Sequence, residues 1–501
     1  MQQDGGGFRN WDVCRLILAC LPEKDLVQMS CVSKSITEHA LRERLTRTIR
    51  LGTFERLLSF HRFVFSGDSA SRLACVRALI LALPPHFMTS LEDCADEVAQ
   101  LLVGCKRLRY LELHWYDLLT LEDPRLPSIV ASLTELRAFD ASERPRPTGI
   151  SPESEAAYIN TFTTLQSTLD SLRLPWIYAE DVTFFHDLAI SQPCLKELWF
   201  SIPKFLPLNT PFRSVSRLHL TLLREYPRIR DIYRAFPSAR DIRIGWIPSI
   251  NLFRLTEADT AARHLAEEDC RDGNVWRSLD LLSSSFQYLC IFALTCPVRR
   301  LVLRDLEFGL WFWSDQAVEL LSRLRPRQLD VVVDCGTPMD FPVPIDPRMF
   351  VNDSGASPYR LAHLCARMWF HPEGGVPDTD NVTDMFRKVL SVSQVELFRL
   401  DLYDSVTFIN GLPLQTQEPA DYHRKLAECM VHINLFAVVR ALVDCCPSLR
   451  IVVMNLSAEP DERYWRVEML DGQAVIKEVG RYTGRQMVAE EEERLFSLKE
   501  Y

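Results

Sequence analysis

Arginines and aromatic side chains are the residues of this 501-residue chain whose types suit binding, and they are spaced along short apolar runs. The runs share the frame apolar-x-x-apolar-x-apolar, as in Leu108, Leu111 and Leu113. Because alternate residues of a strand point to opposite faces, the residues between the apolar ones would share one exposed surface. Arginine and aromatic residues are enriched in protein interfaces. The predicted binding residues are Tyr110, Trp199, Arg217, His219, Arg243, Arg300, Arg304, Arg399 and Tyr403.

Several of these arginines would lie on neighbouring strands and form a basic band. Its members are Arg217, Arg243, Arg300 and Arg304. Such a band suits an acidic or phosphorylated segment of another protein. The alternative is that the arginines are solvated or paired with Asp241, Asp280 and Asp330. The sequence leaves both interpretations open.

No known catalytic signature occurs in the sequence. A P-loop and the GxGxxG, HExxH and GxSxG motifs are all missing, and the histidines are scattered. Asp378, Asp380 and Asp384 lie close together, but their spacing lacks the glycine and the bidentate glutamate of a calcium loop. We therefore expect no enzyme activity, no cofactor and no metal site. A hydrolase or transferase with an unrecognised site remains the alternative.

Composition and charge narrow the class further. The net charge of -10 argues against a nucleic-acid partner. No run of about 18 apolar residues is present, so we expect no membrane span. The polar, glycine-rich N-terminus lacks the apolar segment of a secretory signal. The fifteen cysteines include no CxxC pair and many lie in apolar stretches, which indicates reduced thiols and a cytoplasmic or nuclear location.

The apolar frame recurs about a dozen times, with copies mostly ~20–40 residues apart. Three of the copies are Leu133-Leu136-Ala138, Trp276-Leu279-Leu281 and Cys365-Met368-Phe370. One strand with its return segment cannot bury its own apolar face, so such units must stack. This pattern predicts an irregular, horseshoe-like leucine-rich-repeat solenoid over residues 105–457, within an α/β fold class. An ordinary α/β domain with similarly short strands is the alternative.

Two segments flank the predicted array. Residues 51–104 are predicted to form a helical linker or N-terminal cap, and the apolar stretch 73–83 favours a buried helix. At the other end, Asp471-Gly472 between two apolar runs predicts a hairpin with a type I′ turn. The segment 458–501 is predicted to be this hairpin plus an acidic helix, together capping the end of the sheet. The run Glu490–Glu493 is expected to be a solvated helix face.

The first 50 residues show a separate, helical pattern. Three short helices are predicted, with Asp12 capping the first and Pro22 ending it. Asp25 is placed to cap the second helix, and Ser35 with Glu38 has capping-box spacing for the third. Three short helices bury only a small core, so a module of this size, residues 8–50, is expected to dock on another protein. A helical cap of a larger domain is the alternative.

The stretch from Trp11 to Lys34, with its Leu21-Pro22 and Asp25-Leu26 pairs, resembles an F-box, especially those of fungal proteins with degenerate leucine-rich repeats. Trp11 stands where many F-boxes have Leu-Pro and would fill the same apolar pocket. The resemblance implies docking on a Skp1-like adaptor, and through it on a cullin. The implied docking residues are Trp11, Leu16, Ile17, Leu21, Pro22, Leu26 and Val32.

The resemblance therefore implies a substrate receptor of a Skp1–cullin–F-box ubiquitin ligase. An unknown target protein would bind along the repeat surface and be presented for ubiquitination. The alternative is a leucine-rich-repeat interaction scaffold without a role in ubiquitination.

Overall fold

Helices and strands alternate along the chain, which makes the protein mixed α/β with an open sheet. The computed structural model describes residues 11–32, 34–83, 91–141, 159–176, 183–202, 205, 207–222, 226–246, 257–307, 314–335, 347–350, 361–370, 379–404, 433–456 and 462–497. The chain folds as two units, residues 1–217 (unit 1) and 218–501 (unit 2).

Three helices form the start of unit 1, as the sequence predicts. They are α1 (Trp11–Cys20), α2 (Glu23–Met29) and α3 (Lys34–Thr46). The proposed caps are wrong, because Asp12, Asp25 and Ser35 lie inside the first turns of α1, α2 and α3, and Pro22 occupies the N-cap position of α2. Leu18, Leu26 and Ala40 form a small core between the three helices.

The rest of unit 1 builds a parallel sheet whose strands pair in chain order. The strands are β1 (Thr48–Leu51), β2 (Ala78–Leu81), β3 (Tyr110–Leu113), β4 (Ala138–Asp140), β5 (Ser171–Trp176) and β6 (Glu197–Ile202). The helices are α4 (Phe54–Phe65), α5 (Ser69–Leu73), α6 (Leu91–Gly104), α7 (Tyr116–Glu122), α8 (Leu126–Ala131) and α9 (Thr183–Ser191). The expectation that residues 51–104 are only helical is wrong, because β2 lies there and pairs with β1 and β3. A short apolar run does not distinguish a strand from a helix, and pairing with neighbours decides it.

Unit 2 continues the same alternation. Its strands are β7 (Arg217–Leu222, beginning at the last residue of unit 1), β8 (Asp241–Trp246), β9 (Leu279–Ser285), β10 (Val298–Glu307), β11 (Gln328–Cys335), β12 (His363–Phe370), β13 (Leu397–Asp404), β14 (Ile451–Leu456), β15 (Arg463–Leu470) and β16 (Gln473–Val479). Strands β8 to β14 pair in parallel, and β14, β15 and β16 pair antiparallel. The helices are α10 (Ile229–Ala235), α11 (Glu257–Arg271), α12 (Phe286–Phe292), α13 (Ser314–Leu324), α14 (Thr379–Ser391), α15 (Leu435–Cys445) and α16 (Arg481–Ser497), with a 3-10 turn at Pro347–Phe350.

In each unit, helices pack on one face of the sheet, which we call the helix face. We call the opposite face the outward face. On the helix face, Phe185 of α9 meets Phe200 of β6 at 4.9 Å between ring centroids. In unit 2, Phe386 of α14 meets Phe398 of β13 at 5.0 Å. The alternating apolar residues of the repeated frame thus supply the core, and the residues between them face outward.

Two copies of the predicted frame are wrong in phase. The inward residues are Phe139 rather than Ala138 and Leu282 rather than Leu281, and each is at most 1% exposed and pairs with inward residues of its neighbours. In a third copy Met368 faces inward as predicted, but the first residue, Cys365, faces outward beside the inward Leu364. A frame of three apolar positions fits an apolar segment in more than one phase, whereas strand register admits only one.

The C-terminal hairpin is confirmed at its predicted turn. Asp471 and Gly472 have φ values of 53° and 78°, the left-handed region that a type I′ turn requires.

We expect Gly472→Ala to destabilise the hairpin by about 1 kcal/mol, because a side chain is strained at this φ. Hydrogen exchange of the β15 and β16 amides would measure it. Gly52→Ala is the control, since Gly52 has open space and no positive φ, and faster exchange in both variants would contradict the argument.

Candidate protein-binding surfaces

An apolar surface is exposed on the N-terminal helices. Leu16 is 68% exposed, Ile17 51% and Val32 64%. Val13 and Val27 are also exposed, and Val27 was not singled out by the sequence pattern. Single exposed apolar residues are normal, but five in a stretch of twenty residues make this segment a candidate site for another protein. We call these five residues the N-terminal apolar surface.

The predicted docking residues divide into surface and core. Pro22 is exposed, as are Leu16, Ile17 and Val32. Leu26 is fully buried and Leu21 packs against the core that Leu26 forms with Leu18 and Ala40. Leu26 is therefore wrongly placed in the docking set, because it supports the helices from inside. The side chain of Trp11 lies outside the described residues.

Polar contacts from α3 fix the position of the other two helices. The Arg47 guanidinium donates from Nη2 to the carbonyl oxygens of Leu18 and Ala19, both at 3.1 Å. These carbonyls belong to the last turn of α1, which has no partners for them within the helix. Arg44 Nε donates to Glu23 Oε1 of α2 at 2.6 Å. The apolar surface is thus held on a module with defined geometry.

The outward face of unit 1 carries a stacked arginine beside a tryptophan. The Arg173 guanidinium lies over the Trp199 ring at 3.9 Å from its centroid. Trp199 Nε1 donates to Glu197 Oε1 at 2.8 Å, and Arg217 lies 3.0 Å from the other Glu197 oxygen. Trp199 and Arg217 thus share the carboxylate of Glu197, a contact that the sequence did not predict. Arg173, which sits between Leu172 and Leu174 of the predicted frame, was missed.

A second group lies on β3 in the same unit. Tyr110 donates its hydroxyl to Glu112 Oε2 at 2.9 Å, and His114 Nε2 lies 3.0 Å from Glu112 Oε1. Burial first, and then Glu112, raise the pKa of the Tyr110 phenol. Tyr110 therefore stays protonated at neutral pH and presents a half-buried ring at the surface.

In unit 2 the arginines of the predicted basic band are largely neutralised. Arg243 lies 3.3 Å from Asp241, and Arg300 lies 2.5 Å from Asp330. The interpretation that the band is paired with carboxylates is thus the correct one for these residues, whereas Asp280 pairs with Arg299 instead. His219 is half-buried and Arg304 exposed on the outward side, and the side chain of Tyr403 lies outside the described residues.

Arg399 belongs to a larger polar network at β13. Its Nε lies 2.9 Å from both oxygens of Asp401, and its Nη2 lies 2.9 Å from Glu462. Asp401 is fully buried, and burial raises the pKa of its carboxyl despite Arg399 and Arg367. Arg485 of α16 reaches the same Glu462 at 3.0 Å. The network therefore joins the sheet to the C-terminal helix.

Helix α16 lies on the outward face of unit 2, which corrects its predicted place at the end of the sheet. Met487 and Val488 pack on a patch of buried residues from β13, β14 and β15. The patch consists of Leu397, Ile451, Val453 and Tyr464. Part of the acidic run also faces the sheet rather than solvent, because the Glu491 side chain is only 12% exposed and lies 3.8 Å from His363. The chain thus covers part of the surface predicted to bind a target.

His363 is a buried histidine in the contact between α16 and the sheet. The side chain is 2% exposed, and burial lowers the pKa of its imidazole to about 4 against the opposing effect of Glu491. The other charged groups facing it are Arg494 of α16, Asp330 of β11 and Glu396, which precedes β13. The ring is therefore neutral when α16 covers it.

We expect the docking of α16 to weaken as pH falls from about 6.5 toward 4. The uncovered His363 takes up a proton with an ordinary pKa near 6.5, whereas the covered one resists it down to about 4. Protonation thus favours the uncovered state, by about 2 kcal/mol at pH 5. Hydrogen exchange of amides 484–494 at pH 7 and pH 5, corrected for intrinsic rates, measures the change. His363→Gln should flatten the dependence in this window, and an unchanged slope would show that another group titrates.

Among the described residues, no group of three His, Cys, Asp or Glu side chains is placed to hold a metal ion. In the same part of the chain, none of the helices combines the length and the apolar composition needed to cross a bilayer. No model of a known protein family matches the sequence, and no curated protein matches it significantly.

Proposed function

We propose that the protein is the substrate receptor of a Skp1–cullin–F-box ubiquitin ligase. The N-terminal helices would bind a Skp1-like adaptor and the sheet would bind a target protein. The observation that carries the proposal is the N-terminal apolar surface, three of whose five residues, Leu16, Ile17 and Val32, are among those implied by the F-box resemblance.

The surface has the properties that an adaptor-binding module requires. Its apolar side chains stand on α1 and α2 and just after α2, while Leu18, Leu26 and Ala40 hold the helices from inside. The five residues of the N-terminal apolar surface stay exposed outside that core. Burial of about 25 cal/mol per Å² of apolar surface would favour association with a partner.

The remainder of the chain supports the second half of the proposal. Parallel strands separated by helices repeat in chain order in both units, which is the arrangement that an irregular leucine-rich-repeat solenoid would have. The outward faces present Tyr110, Trp199 and Arg217 in unit 1, the residue types that dominate protein interfaces.

In this role the protein would contribute proximity rather than bond-making groups. The target would be held next to a ubiquitin-loaded enzyme supplied by the cullin complex. An effective concentration far above that of free solution would then raise the rate of transfer. All covalent steps would occur on other subunits.

The proposal is tested by binding of the full-length chain to a purified Skp1-like adaptor. Calorimetry or co-purification should give a stable one-to-one complex, and the complex with a cullin should ubiquitinate proteins captured by the sheet. A folded chain that does not bind the adaptor would leave the second candidate, an interaction scaffold without a role in ubiquitination. The paired outward residues of unit 1 support this second candidate as well as they support the ligase receptor.

A further inference from the structure

The C-terminal helix presents a single regular stripe to the sheet. The inward positions are Gly484, Met487, Val488, Glu491 and Arg494. Their spacing of i, i+3, i+4, i+7 and i+10 is that of one helix face. The helix therefore docks through a defined sequence of side chains: a small residue, two apolar residues, an acid and a base.

The sheet supplies a complementary site for each position of the stripe. A Cβ atom at Gly484 would meet the Tyr464 Cβ at 2.6 Å, so only glycine permits this approach. Met487 and Val488 lie on Leu397, Ile451 and Val453, among others. At the far end, Glu491 faces His363, and Arg494 pairs with the buried carboxylate of Glu396.

The covered surface is apolar at Leu397, Ile451 and Val453 and polar beyond them. Asp330, His363 and Glu396 lie 2%, 2% and 5% exposed on the outward side, and His363 Nε2 has no hydrogen-bond partner among the described residues. Buried polar groups cost free energy unless they are satisfied. Asp330 is paired with Arg300 and Glu396 with Arg494, which leaves this cost at His363. Among the described side chains of α16, Met487 and Val488 supply the apolar contact, and the tether to β16 helps to hold the helix in place.

From these contacts we infer that the outward face of β12–β15 is a binding site for a helix of a partner protein, and that α16 is its resident competitor. The partner's helix carries the same stripe: a small residue, two apolar residues one turn later, then an acid and a base at successive turns. The inference deepens the proposed function. It rests on that function in one point, namely that the partner is the target for ubiquitination.

A tethered helix competes at an effective concentration of ~1 mM, so an external helix binds only when α16 is weakened. Gly484→Leu does this without disturbing the helix itself, because leucine has a higher helix propensity than glycine while its side chain clashes with Tyr464. Ala489→Leu is the matched control, since residue 489 is exposed on the same helix.

The experiment measures binding of a fluorescent peptide of residues 481–501 to the full-length chain. The Gly484→Leu chain should bind the peptide at least about tenfold more tightly than the wild-type and Ala489→Leu chains, whose site is occupied. A peptide with Glu491→Lys should lose binding to the Gly484→Leu chain, whereas one with Glu490→Lys, at an exposed position, should keep it. A chain ending at Gly480, if folded by circular dichroism, should bind like the Gly484→Leu chain.

Two results would overturn the inference. One is a Gly484→Leu chain with released α16, seen as rapid exchange of amides 484–494, that still does not bind the peptide. The other is a Gly484→Leu chain whose α16 amides remain as protected as in the wild type. Adaptor binding, measured on the same variants, should not change, so failure of the peptide site and failure of the ligase role are distinguishable.

Discussion

Leu16→Asp should reduce the affinity for a Skp1-like adaptor by at least about 100-fold. Leu16 is 68% exposed in the free chain, so the change itself should alter the free energy of unfolding by less than about 0.5 kcal/mol. In the complex, the carboxylate would be transferred from water into an apolar contact, which costs several kcal/mol. Titration calorimetry with the purified adaptor gives the dissociation constant, and thermal unfolding gives the stability.

The choice of Leu16 follows from the division between surface and core. A charge at Leu21 would enter the packing around Leu18 and Leu26, and loss of binding there would not distinguish a lost contact from an unfolded module. Arg42→Glu, an exposed charge change on α3, is the control and should bind normally. An unchanged dissociation constant for Leu16→Asp would mean that the N-terminal apolar surface does not face the adaptor.

Phe139→Ala should destabilise unit 1 by about 3–5 kcal/mol. Phe139 is 1% exposed in β4 and contacts the rings of Tyr116 at 5.7 Å and Phe162 at 5.4 Å between centroids. Alanine would leave a cavity that these rings cannot fill, since Tyr116 is fixed by a 2.7 Å hydrogen bond to Thr161. Urea unfolding of the full-length chain, followed by hydrogen exchange at β3 to β5, would locate the loss in unit 1.

Leu121→Ala in the neighbouring α7 is the matched control. Leu121 is 51% exposed, so its truncation removes apolar surface that already contacts water and should cost less than about 0.5 kcal/mol. Equal destabilisation by the two changes would mean that Phe139 is not the inward residue of β4. Ala138, the residue in the predicted frame, would then have to fill that role.

Local periodicity predicted the elements whose signals lie within a few residues. The three N-terminal helices follow from apolar spacing and from Pro22, because helix geometry places residues three and four apart on one side. The hairpin follows from Asp471-Gly472, because few sequences adopt two successive residues of positive φ. The alternation of inward and outward residues along a strand also predicted that Trp199 and Arg217 face outward. In the structure both side chains contact Glu197.

Long-range contacts decided the rest. Whether Leu26 contacts an adaptor or supports the helices from inside depends on Leu18 and Ala40, which lie on other helices. Periodicity alone does not tell which of two apolar residues in one segment is buried. Strand phase at Phe139 depends on the register with β3 and β5, since three apolar positions fit more than one alignment. The sequence left the pairing of the arginines open, because Asp330 lies on another strand from Arg300 and only the register brings them together.

The sequence by itself determined most of the elements, with β2 as an exception, and the residue classes offered on the outward face, because those depend on local geometry and side-chain chemistry. Only the tertiary structure decided which outward surface is open and which is covered. The acidic run Glu490–Glu493 looked like a solvated face, yet Glu491 faces His363, some 130 residues earlier in the chain. A segment tethered by a hairpin can return onto any nearby surface, and its place is fixed by complementarity to side chains that no local pattern contains.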